Sequence, residues 1–357
     1  MAPAQADEIV AQRGYHGIKG PWLVWDQSSC SFKPTENHPE VYEAQLRKVG
    51  PDGLPIVYAT ADTTLQVQKT INGSFQKYAD LSGINMTMLS NEYPSKTKPV
   101  LIAKQVAAMA PKVVISNVWI PDLYTQIGKT YLDACLPFLN MHAFPIKFAV
   151  PGWESGHVAS GLALADGVIQ LVREKGWDTN EVWMMVCGMP LIANGPGTDL
   201  DVLTSFIEKV GTELKIPKER QSGILDCKES EAEARVVATD WLTANPQAKK
   251  VIAMMWNDFV AVSMSQALEQ KGYTSENAIA AGGQANDGPL EVMTRPNAIF
   301  QVNFDKNFPT WGIIGLSMAQ DVAAGRPVPS YADPGVVPVV GAEAARKLIE
   351  ARKQAAQ

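Results

Sequence analysis

Six strings of polar and aromatic residues stand out because each follows a short apolar run. They are Thr60-Ala61-Asp62-Thr63-Thr64, Asn117-Val118-Trp119, Asn140-Met141-His142, Ala193-Asn194-Gly195-Pro196-Gly197, Trp256-Asn257-Asp258 and Gly283-Gln284-Ala285-Asn286-Asp287. Amides, carboxylates and hydroxyls in such places can meet the vicinal hydroxyls of a small polar molecule, and an indole supplies an apolar face for its C–H side. Bond-making chemistry is much less visible. The sequence holds no G-x-S-x-G elbow, no H-E-x-x-H and no C-x-x-C. The loop 193–198 follows a strand and precedes a helix, as a phosphate cradle does, yet it lacks the lysine of G-x-x-x-x-G-K-[ST] and the spacing of G-x-G-x-x-G. Asp62, His142, Glu154 and Asp258 could act as acid and base, but nothing in their spacing requires it. With four His (16, 38, 142, 157) and no Cys/His cluster, neither a metal site nor a cofactor is expected.

The elements that must hold these strings form a regular rhythm from residue 55 onward. Apolar strand candidates fall at 56–60, 85–89, 113–117, 137–141, 182–187, 222–227, 251–255 and 279–282. Amphipathic helix patterns lie between them at 65–81, 100–109, 124–132, 156–174, 199–210, 229–244 and 259–271. Near-continuous apolar strands alternating with helices imply parallel sheets covered on both faces, with right-handed crossovers. Ligands of such open sheets bind beyond the carboxyl ends of the strands, which is where all six strings fall. Four strands precede Pro151-Gly152 and four follow it, so the chain divides there into two lobes. Residues 7–50, rich in Gly and Pro and carrying Trp22-Leu23-Val24-Trp25, are expected to form an irregular extension that anchors its aromatics on the main body and closes with a short helix near 39–48.

The chain is 357 residues long, enough for two cores, and 46% of its residues are hydrophobic against 19% charged. The 31 Lys+Arg against 37 Asp+Glu give a net charge of −6, with no clustered basic face for nucleic acid. No apolar run approaches the roughly 20 residues of a membrane span. Ala4-Gln5-Ala6 has the small-x-small form of a signal-peptide cleavage site, so residues 1–6 read as the remnant of a secretory signal. The even count of four cysteines, at 30, 135, 187 and 227, suits an oxidising compartment. Cys187 and Cys227 end neighbouring strands and are the expected pair. Cys30 and Cys135 either stay free or tie the extension to the first lobe.

Local strings add a family resemblance over roughly residues 54–340. Leu242-Thr243-Ala244-Asn245-Pro246, Val251-Ile252-Ala253 and Asn257-Asp258-Phe259-Val260-Ala261, with the helix running on to Gln266-Ala267-Leu268, resemble the sugar-binding branch of the type I periplasmic binding proteins, the ribose/galactose-binding subunits of ABC importers. Val114-Ile115-Ser116-Asn117, Leu136-Pro137-Phe138-Leu139 and the segment 279–287 are similar to further family strings. The resemblance implies two doubly wound parallel-sheet lobes joined by a three-strand hinge, closing on a monosaccharide that a membrane permease then receives. It places Asn117, Asn257 and Gln284 where members hydrogen-bond sugar hydroxyls. His142 and Gln284 stand where relatives carry an Asp, and no Arg lies between Asn194 and Phe206 where pentose binders place one.

Each candidate also has a plainer structural reading. Asn117 could be a turn former, His142 a core histidine, and Trp153 a hinge-packing aromatic rather than a ring stacked on the ligand. Trp119 and Trp256 are further aromatic candidates, and Trp311 reads as structural. At Asn257-Asp258 the expectation is that Asp258 caps the following helix while Asn257 faces the cleft.

The combined reading is an α/β protein of two doubly wound lobes: an extension at 1–50, an N-terminal lobe of 51–152 with 305–332, and a C-terminal lobe of 153–304 with 333–357. The expected ligand contacts are Thr63, Thr64, Asn117, His142, Trp153, Asn194, Asn257, Gln284 and Asn303, gathered in the cleft between the lobes. The expected function is that of a periplasmic, monomeric, non-enzymatic receptor for a neutral sugar or polyol, with an ABC-importer permease as partner and no membrane insertion. A chemosensory or quorum-signal receptor of the same fold, using residues 7–50 as the partner's surface, is the alternative, and an enzyme acting on a sugar-like substrate is a third reading.

Overall fold

The apolar runs become the central strands of two parallel-sheet units in the computed structural model, which describes residues 8–14, 17–142, 148–188, 199–228 and 230–355. One unit comprises Met1–Ser155 with Asn307–Gly335, the other Gly156–Lys306 with Val336–Gln357. The chain enters the first through β1 (Ile9–Gly14), β2 (Gly17–Asp26), β3 (Ser31–Pro34) and β4 (Glu43–Arg47). It continues through β5 (Pro55–Thr60), α1 (Gln66–Ser82), β6 (Asn85–Ser90), α2 (Lys98–Met109), β7 (Val113–Ser116), α3 (Pro121–Asp133), β8 (Phe138–Met141) and β9 (Gly152–Trp153). The second unit holds α4 (His157–Glu174), β10 (Val182–Gly188), α5 (Asp199–Glu213), β11 (Gln221–Asp226), α6 (Glu231–Ala244) and β12 (Lys250–Asn257). It goes on through α7 (Asp258–Gln270), β13 (Ala278–Gly283), α8 (Asp287–Met293) and β14 (Phe300–Asp305). The chain then returns to the first unit for α9 (Trp311–Ala323) and β15 (Val328–Asp333), and ends in the second with β16 (Val337–Val340) and α10 (Gly341–Ala355).

Both sheets have the same parallel kernel. In the first the order is β3-β2-β15-β9-β8-β7-β5-β6, with β5 to β9 and β15 parallel and the pairs β15/β2 and β2/β3 antiparallel. In the second it is β11-β10-β12-β13-β14-β16, with only β16 antiparallel. Within each kernel the strand that comes first in sequence lies between the second and third. The chain direction across the sheet therefore reverses between β5 and β7, and again between β10 and β12, which is where an open α/β sheet offers a ligand crevice at its carboxyl edge. The strands are apolar on both faces: Val251 to Met255 of β12 and Val113 to Ile115 of β7 are all buried, as sheets covered by helices on both sides require.

All eight strands and seven helices read from the periodicity are present, and residues 7–50 differ from expectation. The described part of them holds four strands, and the segment 39–48 contains the strand β4 rather than a helix. Tyr42, Ala44 and Leu46 are buried while Val41 and Glu43 are exposed, a period of two that belongs to β4. Trp22, Leu23, Phe32, Tyr42 and Leu46 share one core with Tyr58, Phe75 and Trp311. Polar contacts lock β4 to α9. The Gln320 side chain accepts from the Arg47 N–H (2.9 Å) and donates to the Arg47 carbonyl (2.6 Å), and the Tyr42 hydroxyl donates to Asp321 (2.7 Å). Helix α9 escaped the periodicity reading because almost every residue in it is buried, leaving no polar stripe to mark its turns.

Both pairs of cysteines are bridged. Cys187–Cys227 joins the carboxyl ends of β10 and β11, as expected for neighbouring strands, and Cys30–Cys135 ties the turn between β2 and β3 to the turn that follows α3.

Because β4 is part of the core, Leu46→Ala should destabilise the protein by about 2–5 kcal/mol, the range for a truncated central leucine. Urea denaturation measures this. A loss under about 0.5 kcal/mol, typical of a surface position, would show the segment to be dispensable.

Candidate functional site

In the first unit the carboxyl end of β5 turns directly into α1. The Asp62 carboxylate, nearly buried, accepts from the Thr64 hydroxyl (2.6 Å) and the Leu65 N–H (2.9 Å), closing the turn that leads into the helix. Burial pushes its acidity one way, but the donors from Thr64, Leu65 and Thr63 outweigh it and hold the carboxyl below its ordinary value. Thr63 and Thr64 are exposed. Asn117, at the end of β7, is fully buried. Its Nδ2 donates to the Tyr58 hydroxyl (3.3 Å) and to Gln68 Oε1 (3.1 Å), while its Oδ1 has no partner among the described residues. Most of its hydrogen-bonding capacity therefore serves the interior of the unit.

His142 follows β8 with φ +88, a left-handed conformation that a histidine keeps only where its surroundings fix it. Its ring has a partner on each nitrogen: Nε2 accepts from the Trp119 indole N–H (2.8 Å), and Nδ1 meets the Glu154 carboxylate. An indole N–H can only donate, so Nε2 is the acceptor in that contact while Nδ1 faces Glu154. Glu154 is buried and lies near Tyr124 and Tyr331, whose hydroxyls are raised first by burial and then by its negative charge. Trp119 is half-buried and stands edge-on to Tyr93 (5.3 Å between ring centroids), so the carboxylate–imidazole–indole chain fixes an aromatic plane at the end of β7. Trp153, a candidate for stacking on a ligand, belongs to the core instead. It is fully buried against Phe75 and Gly315, a packing position, as is Trp311.

The second unit reverses an expectation. Asn257, not Asp258, caps α7, its Oδ1 accepting from the Phe259 N–H (3.1 Å). Asp258 instead points into the unit with no exposed surface. It accepts from the Asn286 N–H (2.7 Å), from Asn286 Nδ2 (2.8 Å) and from Asn303 Nδ2 (3.2 Å). Burial pushes its carboxyl up to about 7, with these donors and the Phe259 N–H pulling the other way. Gln284, at the end of β13, has φ +96 and Ala285 has φ +49; each such non-glycine residue costs on the order of 1–3 kcal/mol and needs its neighbours to hold it. Asn303, predicted as a ligand contact, supplies part of that hold: its Oδ1 accepts from the Ala285 N–H (3.0 Å) and the Phe304 N–H (2.8 Å). Both ends of its carboxamide are thus engaged within the unit. Trp256 is half-buried on the second unit's core. Asn194 lies outside the described residues.

The structure thus brings Trp119 and His142 together with Glu154 in the first unit, and Asn257, Gln284 and Asn303 into one strand-end cluster around Asp258 in the second. Sequence reasoning passed over Asn286, and it treated Glu154 only as a possible acid or base. The nearest signal was that Asn286 shares a strand-end string with Gln284, and Glu154 follows directly on Trp153. Among the described residues no group of His, Cys, Asp and Glu could hold a metal ion, and no helix is long and apolar enough to cross a membrane.

No family model and no curated protein matches the chain. Solved structures do. An ABC transporter solute-binding protein from Mycobacterium smegmatis with bound glycerol shares 17% identity at a TM-score of 0.66, covering 83% of this chain and 96% of that one. A periplasmic solute-binding protein of an ABC transporter from Actinobacillus succinogenes with bound D-allose shares 15% at 0.66, covering 82% and 99%. A Mycobacterium smegmatis protein in complex with β-D-fucofuranose shares 15% at 0.71, covering 85% and 97%. At these identities the likeness is one of fold, and the α/β fold is the type I periplasmic binding protein fold. Further neighbours include a sugar-binding protein of a sugar ABC transporter and an ABC transporter solute-binding protein with bound myo-inositol, both from Bacillus halodurans.

Asp258 should leave a signature in stability. Its folded value lies above the ordinary carboxylate value, so its contribution is fully present below about pH 4 and is lost as pH rises through about 7. At about 1.4 kcal/mol per unit the whole effect is bounded near 4 kcal/mol. Urea unfolding across pH 4–8 should show the wild type losing stability relative to Asp258→Asn over that window. A difference between the two that is constant with pH would mean that the carboxylate stays ionised throughout.

Proposed function

We propose that the chain is the extracytoplasmic solute-binding component of an ABC importer and that its ligand is a neutral monosaccharide or polyol. The observation that carries this reading is chemical. In a fold shared with proteins crystallised with glycerol, D-allose and fucofuranose, the strand-end strings offer amides, hydroxyls, an imidazole and an indole, and contain no Lys or Arg. A phosphorylated or strongly anionic ligand calls for charge-assisted donors, which those strings lack. Vicinal hydroxyls instead match amide pairs, and a ring's C–H face matches a fixed indole.

In this reading Thr63, Thr64, Trp119 and His142 serve from the first unit, and Asn257 and Gln284 from the second, with Asn194 a further contact. Asn117 and Asn303 support these groups from behind. Ligand binding closes the protein like a hinge. The protein works as a monomer in the periplasm, delivers its ligand to a membrane permease and turns over no substrate. Two disulfides accord with an oxidising compartment. The sensor alternative, with residues 7–50 as the partner's surface, stays the second reading; β1–β4, which that surface would use, are built into the first unit.

A thermal-shift screen of monosaccharides, polyols, amino acids and sugar phosphates tests the ligand class, since a ligand at 100 times its Kd stabilises the native state by about 2.7 kcal/mol. Neutral sugars or polyols should raise the midpoint; a response confined to phosphates or amino acids would overturn the assignment. Asn257→Ser tests the site, because serine keeps the cap oxygen but lacks the amide donor. Affinity for the selected sugar should fall about tenfold or more, near 1.4 kcal/mol, with little change in Tm. Unaltered affinity would remove Asn257 from the site.

A further inference from the structure

The loop that carries Gln284 is held on every side by groups within its own unit. The Gln284 N–H donates to the Phe304 carbonyl (3.0 Å), the Ala285 N–H to Asn303 Oδ1 and the Asn286 N–H to Asp258 Oδ2. The remaining anchor comes from the far end of the chain. Arg352, on the C-terminal helix α10, donates from one guanidinium nitrogen to the Ala285 carbonyl (2.6 Å) and to Asp287 (3.0 Å), and from the other to the nearly buried Asp305 (2.9 Å). A planar guanidinium presents its donors in a fixed fork, so gripping a carbonyl of the loop and a carboxylate at the end of β14 together sets the distance between them. Two successive non-glycine residues at positive φ stay in place only while such contacts outweigh their strain.

We propose that Arg352 is a positioning residue for Gln284: it never touches the ligand, but it keeps the 284–287 loop in the conformation that presents the Gln284 side chain. The inference rests on the reading of Gln284 as a ligand contact and deepens it, because it makes the C-terminal helix part of the binding apparatus. Affinity then depends on preorganisation. Without the guanidinium the loop relaxes toward negative φ, and ligand binding must drive it back.

The test uses the full chain and two readouts. Replacing Arg352 alone would strand Asp305, so the working variant is Arg352→Met with Asp305→Asn. Hydrogen exchange on the ligand-free protein follows the amides of 284–287. They should exchange about tenfold faster or more in the variant, while those of β12 keep their wild-type protection. Unchanged exchange at 284–287 overturns the proposal whatever the ligand. Calorimetry with D-allose, D-galactose, myo-inositol and glycerol then supplies a double-mutant cycle against Gln284→Ala. The Arg352/Asp305 change should weaken binding about tenfold where Gln284 is present and by less than about twofold where it is absent, with Arg352→Lys recovering part of the loss. An equal loss in both backgrounds overturns the route through Gln284. No binding of any of the four by the wild type overturns the sugar reading, while the exchange result still decides the anchoring of the loop.

Discussion

A parallel sheet covered by helices on both faces has nowhere to put a polar side chain except beyond its strand ends. Val251 to Met255 in β12 show the constraint in its plainest form: five consecutive buried apolar residues, then Trp256, Asn257 and Asp258 within the next three. The main chain along such a run is satisfied by the neighbouring strands, so the interior asks only for volume and shape. All the recognisable chemistry of both units gathers at the carboxyl edge, and the reversal of strand order on either side of β5 and of β10 decides which edge loops have room between them.

The same constraint makes two aspartates behave in opposite ways. Asp62 and Asp258 each follow a central strand, Asp62 just before α1 and Asp258 as the first residue of α7. Asp62 stays at the helix entry, where short hydrogen bonds from Thr64 and Leu65 hold its charge. Asp258 turns inward and leaves the cap to Asn257, so burial dominates its acidity while Asn286 and Asn303 supply the donors. The result is a buried carboxylate around which a strained loop is organised, comparable in purpose to the carboxylate of Glu154 behind His142 and Trp119. In each unit a buried acid is set against polar side chains at the strand ends, Glu154 against His142 and Asp258 against Asn286 and Asn303.

The sheet kernels were legible in the sequence because period and polarity change together at each strand end. Eight strands and seven helices could be placed from that alone. Two kinds of feature could not. Elements with no contrast between faces, such as the almost wholly buried α9, carry no periodic mark, and the alternation of Tyr42, Ala44 and Leu46 was lost among prolines and glycines. At the candidate site the strand-end strings were visible but not the division of labour inside them. Asn257 and Asp258 are both good caps, and only the presence of Asn286 and Asn303 behind the strand draws the carboxylate inward. Trp153 was left between two readings for a similar reason: an indole at a chain crossing serves packing or stacking equally well until the space around it, here a buried one, is known.

Strand β15 lies between β2 and β9, so the first sheet is two separate pieces until residues 328–333 take their place. The second sheet likewise gains its last strand, β16, only at 337–340. Neither unit can therefore complete its sheet until these late strands have been made. Before then the Cys30–Cys135 bridge, closing a span of 105 residues, can already tie the turn between β2 and β3 to the far side of α3. A cross-link of that span restricts the unfolded chain by about 4.7 kcal/mol in the loop-entropy account, which lowers the entropy lost when the late strand is ordered.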